Sequence, residues 1–198
     1  MALTTYAELV ASAIDWSNRG DLSARMPDFI RLAEERIWRG LRVSAMIKVA
    51  TLTVPSGQNY VALPFDWLEF KRVRTTTEAR IEYMPVDELE DLPLPGSKYA
   101  YSIEGGRFIY GTIPAANQAF SIRYYGSEPA LSTTSTNWLL TAAPSVYLYA
   151  TLIEVALFVK DVEAAGRWGT LMDKAVGEME GADAAAVISG SALRMRTR

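Results

Sequence analysis

The spacing of hydrophobic positions changes twice along the chain, from about 3.6 residues to 2 and back. Near the start, Tyr6, Leu9, Val10, Ala13 and Ile14 recur at helical intervals. They follow Thr5-Tyr6-Ala7-Glu8, a capping-box pattern in which a Thr hydroxyl and a Glu carboxylate satisfy orphan N–H groups of a first turn. The pattern predicts a helix closed by Gly20. Pro27 fits the first turn of a second helix, where its missing N–H costs nothing. There Phe29, Ile30, Ala33, Ile37 and Leu41 line one face, while Arg31, Glu34, Glu35, Arg36, Arg39 and Arg42 take the other. Arg31 with Glu35, and Glu35 with Arg39, lie one turn apart and read as ordinary solvated pairs.

From about Val43 to Gly126 the alternation is that of strands. Ala50, Leu52 and Val54 alternate with Val49, Thr51 and Thr53, and Pro55-Ser56-Gly57 turns the chain toward Tyr60-Val61-Ala62-Leu63. Further short strands are predicted over 70–75, 81–84, 99–103, 108–110 and 120–125. Seven of the ten Tyr and seven of the nine Pro fall between residues 50 and 130, which fits aromatic-rich strands punctuated by turns. Gly105-Gly106 can take the positive φ values of a two-residue hairpin. A small antiparallel sheet, sandwich or open barrel is expected here.

Ser132-Thr133-Thr134-Ser135-Thr136 reads as a polar surface linker, after which the helical period returns. The segment from Pro144 to Lys160 is apolar almost all round, so it needs cover from the sheet and other helices or from a neighbouring subunit. Asp161 can cap a last helix carrying Ala165, Trp168, Met172, Ala175, Val176 and Met179. Gly166, Gly169 and Gly177 weaken that helix by roughly 1 kcal/mol each relative to Ala, although small residues also permit close helix approach. Residues 182–198 lack a long amphipathic pattern. With three Arg, one Asp, and the apolar Val187, Ile188, Leu193 and Met195, they read as an arm that orders on a partner surface.

Composition narrows the chemistry. Of 198 residues, 49% are hydrophobic and 22% charged, which suits a globular chain burying about two-thirds of its unfolded surface. Without Cys there are no disulfides, thiolate nucleophiles or Cys-ligated metals. Without His the usual general base, metal ligand and triad member are missing. No catalytic residue, metal site or cofactor is therefore expected. The opening residues carry no basic region and meet Glu8 early, so no export signal is expected. The apolar run from Val146 to Val159 contains Glu154 and would span only about 21 Å as a helix, short of a ~30 Å hydrocarbon core. The expectation is a soluble, intracellular or particle-bound protein.

Two other chemistries compete. Carboxylates pair in sequence as Asp66 with Glu69 and Glu82 with Asp87, and a carboxylate hydrolase would use Asp66, Glu69 or Glu82. Nothing in the sequence brings two of them to opposite sides of a cleft. The run Asp87-Glu88-Leu89-Glu90-Asp91 reads as a short helix and loop facing water, and no segment has the ligand spacing of a Ca²⁺ loop. Gly105-Gly106 has no following helix or Lys-Ser/Thr that would make it a phosphate loop. A DNA-binding module would use the arginines from Arg19 to Arg42. They are interleaved with Asp21, Asp28, Glu34 and Glu35 in a chain of net charge −3. Trp16, Trp38, Trp67, Trp138 and Trp168 read as core or interface anchors.

An ordered set of strings resembles the head-to-tail adaptor proteins of tailed, mainly short-tailed, bacteriophages. It comprises Ile14-Asp15-Trp16, Asn18-Arg19-Gly20-Asp21-Leu22, Pro27-Asp28-Phe29-Ile30 with Ala33-Glu34, and Leu41-Arg42-Val43. It continues through Tyr60-Val61-Ala62-Leu63-Pro64, Asp66-Trp67-Leu68-Glu69, Gly105-Gly106, Tyr124-Tyr125 and Thr136-Asn137-Trp138-Leu139-Leu140. It ends at Ser189-Gly190-Ser191 and Leu193-Arg194-Met195-Arg196. The resemblance implies an α+β subunit. Residues 1–42 and 132–181 would form a helical bundle, 43–131 a small antiparallel β insertion, and 182–198 an extended C-terminal arm.

It also implies a noncatalytic virion protein, made in the host cytoplasm and placed in the neck. There it would form a ring, usually of twelve subunits, beneath the portal protein and above a tail nozzle or tail tube protein. Such a ring extends the DNA channel, helps retain the genome and attaches the tail, with no membrane contact. Another neck or head-completion protein is the alternative. By analogy the arm residues Val187, Ile188, Ser191, Leu193, Arg194, Met195, Arg196 and Arg198 would grip the portal. Trp38, Trp138, Tyr147, Tyr149 and Trp168 are the subunit-interface candidates. The acidic balance suits a lumen through which DNA passes without sequence-specific binding, since a basic wall would hold phosphates.

Overall fold

The computed structural model describes residues 3–77, 79–91 and 99–189. The chain forms two compact units of an α+β fold. One is helical and joins Met1–Ser44 to Glu128–Arg198, and the other is a β unit over Ala45–Ser127.

In the helical unit, α1 (Tyr6–Ser17) starts on the expected capping box. The Glu8 N–H donates to Thr5 Oγ1 at 3.3 Å, and the Thr5 N–H donates to Glu8 Oε2 at 2.9 Å. The helix stops earlier than Gly20. Asn18 takes the left-handed conformation at φ 51°, which a short polar side chain tolerates, and Gly20 opens a 3-10 turn instead. α2 (Met26–Gly40) has Pro27 in its first turn and buries Met26, Phe29, Ile30, Ala33, Ile37 and Trp38. The segment read as a polar linker contains α4 (Leu131–Thr134), because Leu131 is fully buried and anchors it, and the helix ends at Ser135 with φ 64°.

Asn137 caps α5 (Trp138–Ala142), its Oδ1 accepting from the Leu140 N–H at 2.9 Å. α6 (Pro144–Phe158) is covered within this unit by α1, α2, α5 and α7 (Val162–Ser189). Asp161 starts α7 as expected, its Oδ1 accepting from the Ala164 N–H at 2.9 Å. α7 runs farther than the sequence pattern implied, so 182–189 are helical where an extended arm was expected. Ala182 and Ala184 to Ala186 are strong helix formers, and the Asp183 carboxylate anchors this stretch by accepting from the Ser44 N–H at 2.9 Å. Residues 190–198 lie outside the described residues.

The β unit holds two sheets, neither closed into a barrel. The first has order β1-β7-β3, from β1 (Ile47–Val54), β7 (Gln118–Gly126) and β3 (Trp67–Thr75), all antiparallel. The second has order β2-β6-β5-β4, from β2 (Tyr60–Ala62), β6 (Arg107–Tyr110), β5 (Ala100–Glu104) and β4 (Glu82–Tyr83). This sheet is mixed rather than antiparallel, because β4 and β5 run parallel. The chain between them, which includes α3 (Val86–Glu90), is long enough for the crossover that a parallel pair requires.

Phe108, Phe120, Val54 and Ile122 are fully buried between these strands, with Leu52, Val73, Tyr101, Tyr110 and Tyr124 around them. The hairpin joining β5 to β6 has Gly105 at φ 55° and Gly106 at φ 73°, as the turn type demands. Gly126 is required for a different reason. A Cβ there would stand 2.8 Å from Lys48 Cδ and 3.0 Å from Asp66 Oδ2.

Candidate functional site

The helical unit carries the surface best suited to a protein partner. Three aromatic rings from three helices meet there: Trp16 at the end of α1, Tyr149 in α6 and Trp168 in α7. Tyr149 and Trp168 stack with centroids 5.9 Å apart and an interplanar angle of 17°. Trp16 tilts against both, at 6.3 Å from Tyr149 and 5.9 Å from Trp168. Trp16 is 52% exposed, so the cluster is a platform rather than a core.

Beside it lies a groove of about 410 Å³ lined by Trp16, Val159, Trp168 and Leu171, with Arg19, Asp161 and Arg167 among its polar residues. The turn from α6 into α7 adds exposed Leu157, Phe158 and Val162. Phe158 is propped by Phe29 at 5.3 Å and capped by the Arg25 guanidinium 5.4 Å from its centroid. Exposed apolar side chains rimmed by charge, as around Trp16, Trp168 and Leu171, mark an interaction surface.

The expected interface residues separate into two groups. Tyr149 and Trp168 are partly exposed on the platform, and Trp138 is half-buried. Trp38 and Tyr147 belong to the subunit's own core: Trp38 is 8% exposed, and Tyr147 is fully buried with its hydroxyl accepting from Asn137 Nδ2 at 2.7 Å. Burial pushes the Tyr147 phenol far above its ordinary range. These two have no surface to offer a neighbour. The reason is that α6 is covered on nearly every side and Trp38 sits on the buried stripe of α2.

Trp16 is the platform residue that helical spacing alone left among generic anchors. Its signal is that it follows Leu9 and Ala13, both fully buried, at intervals of one turn, placing it where their stripe reaches the surface. Of the expected portal-binding residues, Ser191, Leu193, Arg194, Met195, Arg196 and Arg198 lie outside the described residues. Val187 and Ile188 fall in the last turn of α7, and their side chains also lie outside the description.

Among the described residues, Asp66 and several of the arginines that the competing chemistries would use are engaged within the subunit. Asp66 is 9% exposed and has both oxygens engaged, accepting from Lys48 Nζ at 2.8 Å and from Tyr124 Oη at 3.1 Å. Burial raises the Tyr124 phenol, and the Asp66 charge raises it further. Among the described residues no three acids gather as metal ligands would.

Between Arg19 and Arg42 several cations are engaged locally. Arg19 pairs with Asp21 at 2.7 Å, Arg36 with Glu154 at 2.7 Å and Arg39 with Glu35 at 2.5 Å. Arg42 donates to the carbonyls of Trp38 and Leu41. Glu34, expected on the solvated face, is instead 7% exposed and accepts from the Leu131 N–H at 2.8 Å, tying α2 to α4. It stands one turn from both Ile30 and Trp38, which is the signal that it shares their buried stripe. Among the described residues, no helix is long and apolar enough to cross a membrane.

No curated protein matches the chain. The family described as SU10 adaptor protein matches residues 4–196, nearly its whole length. The chain therefore belongs to the SU10 adaptor protein family, and is a phage adaptor: a structural component of the virion neck that associates with other head and tail components.

Proposed function

We propose that this adaptor forms a ring of twelve subunits beneath the portal protein, extends the DNA channel, helps retain the genome and attaches a tail nozzle or tail tube protein. The family match over residues 4–196 carries the reading, because it embraces both units and the C-terminal segment. The aromatic platform on α1, α6 and α7 supports it, since a closed ring needs heterologous surfaces that each subunit presents to its neighbour. The basic, apolar segment 190–198, preceded by Val187 and Ile188, is the part assigned to the portal. The domain division that follows is a helical unit for assembly, a β insertion and a C-terminal arm. Net charge −3 lets DNA slide past without counterion-release binding if acids face the lumen.

Truncation after Ser189 tests the arm. Portal pull-down is expected to be lost while circular dichroism keeps its helical signal, and undiminished capture rejects the assignment. Arg194→Glu with Arg196→Glu is expected to weaken capture and steepen its loss with salt, because charge-assisted contacts are removed. Mass measurement of the chain alone and mixed with portal tests the ring. Trp16→Ser, at a half-exposed position, is expected to leave the fold intact and prevent assembly. Rings that form unchanged with that substitution place the subunit contact elsewhere.

A further inference from the structure

The β unit contains a groove that the adaptor reading leaves unused. β3 is an edge strand of the first sheet and β4 an edge strand of the second. The chain passes directly from one to the other. The Thr75 N–H donates to the Ala79 carbonyl at 2.9 Å and the Ile81 N–H to the Val73 carbonyl at 3.4 Å, with an antiparallel bridge between Arg74 and Arg80. One residue later the chain has changed sheets: the Glu82 N–H donates to the Tyr99 carbonyl at 2.7 Å and the Met84 N–H to the Tyr101 carbonyl at 2.9 Å. The two strands therefore splay apart from a paired end. The splay opens a groove of about 640 Å³, whose lining includes Phe70 and Val73 on one side, Ile81 and Tyr83 on the other, and Tyr101.

Its described lining is mostly cationic. Lys71, Arg72, Arg74 and Arg80 line it, against Glu82 as the one carboxylate among the described lining residues. Register shifts between Phe70 and Arg72, a bulge at Lys71, and Lys71, Arg72 and Arg80 are all exposed. In a chain of net charge −3 this is a local concentration of positive charge beside the part of the β3 edge that precedes its pairing at Val73 and Thr75.

We propose that this groove docks an extended acidic segment of a partner protein, which adds as a strand along the β3 edge. Main-chain hydrogen bonds to the edge would supply affinity, and the cations would select carboxylates on alternate residues of the incoming strand. The observations favour a peptide over a nucleic acid. A phosphate backbone would engage the cations but leave the strand edge and the apolar floor of Phe70, Val73 and Tyr101 unused. Cations on an edge strand also discourage unwanted pairing. Selection by charge and protection by charge are then one device, open to acidic strands and closed to others.

The test uses the full chain and a labelled nonapeptide alternating Glu and Val, read by fluorescence anisotropy. Controls are the same peptide with Pro at alternate positions, a Lys/Val peptide of equal length and a short DNA duplex. The Glu/Val peptide is expected to bind at least about tenfold more tightly than its Pro version, which keeps the charge and cannot pair as a strand. Arg72→Glu with Arg80→Glu is expected to weaken that binding by about tenfold or more, with unchanged circular dichroism and unchanged portal capture. Equal binding of the Pro peptide would overturn strand addition. Binding of the duplex but not the Glu/Val peptide would make this a phosphate surface, and binding of neither would leave only edge protection.

Discussion

The helical and β units build their cores from different side chains. In the β unit a layer of rings fills the core, while Tyr60, Phe65, Tyr83 and Tyr99 stay exposed: Phe108 stacks on Tyr101 at 5.2 Å and meets Phe120 at 5.2 Å, Tyr110 lies 4.8 Å from Phe120, and Phe70 meets Phe108 edge-on at 6.1 Å. In the helical unit the core is largely aliphatic, built on Val146, Leu148, Leu152 and Val155 of α6, while Trp16, Tyr149, Trp168 and Phe158 sit at the margin. A pleated face alternates strictly and can hold a layer of rings between two sheets. The helical core takes single rings, Phe29, Trp38 and Tyr147, among its aliphatic side chains rather than a continuous layer. A cluster of rings thus holds the β unit together, whereas the exposed cluster of the helical unit leaves Trp16 half open to solvent.

The sharpest way to break this contrast is Phe108→Ala. Removing a fully buried ring that touches aromatic rings on three other strands is expected to cost about 3–5 kcal/mol in urea unfolding, with the loss confined to the β unit's transition. A loss below about 1 kcal/mol would mean that the ring cluster does not hold the unit.

Glu34→Ala comes next, at about 1–3 kcal/mol, because it leaves the buried Leu131 N–H without its acceptor. Glu34→Gln keeps an acceptor and isolates the charge. Burial raises the Glu34 carboxyl above its ordinary value, against the opposing effects of the Leu131 N–H and the Arg31 charge. The folded state therefore holds that proton more tightly than the unfolded chain. Its contribution is complete below the unfolded pKa and is lost as pH rises through the folded one. Thermal melts from about pH 4 to about pH 8 are expected to show this decline in the parent and a flatter course in Glu34→Gln. Thr5→Ala is the smallest effect, about 1 kcal/mol from the lost cap, and is expected in the helical unit's transition alone.

Much of the architecture was legible because its causes are local. The Thr5 and Asp161 caps, Pro27 in a first turn and the Gly105-Gly106 hairpin each depend on residues within about four positions, and period-2 alternation is a property of single strands. Where the reading went astray, one cause was local, the left-handed Asn18 that ended α1 before Gly20, and the others involved distant contacts: a buried Leu131 turned a polar linker into a helix, and Asp183 on Ser44 helped the alanines carry α7 through 182–189.

The candidate site divides along the same line. Sequence alone offered Trp168 and Tyr149 as interface candidates, and it established that the α6 segment is apolar almost all round and that the chain has no His or Cys. Only the tertiary structure decided that Tyr147 and Trp38 are spent on the core, that Trp16 completes the platform, that β4 runs parallel to β5 and that β3 and β4 splay around a basic groove. Those outcomes depend on which surfaces meet across more than a hundred residues in the helical unit and across two sheets in the β unit. A helical or strand period specifies that a face will be covered, but carries no record of what covers it.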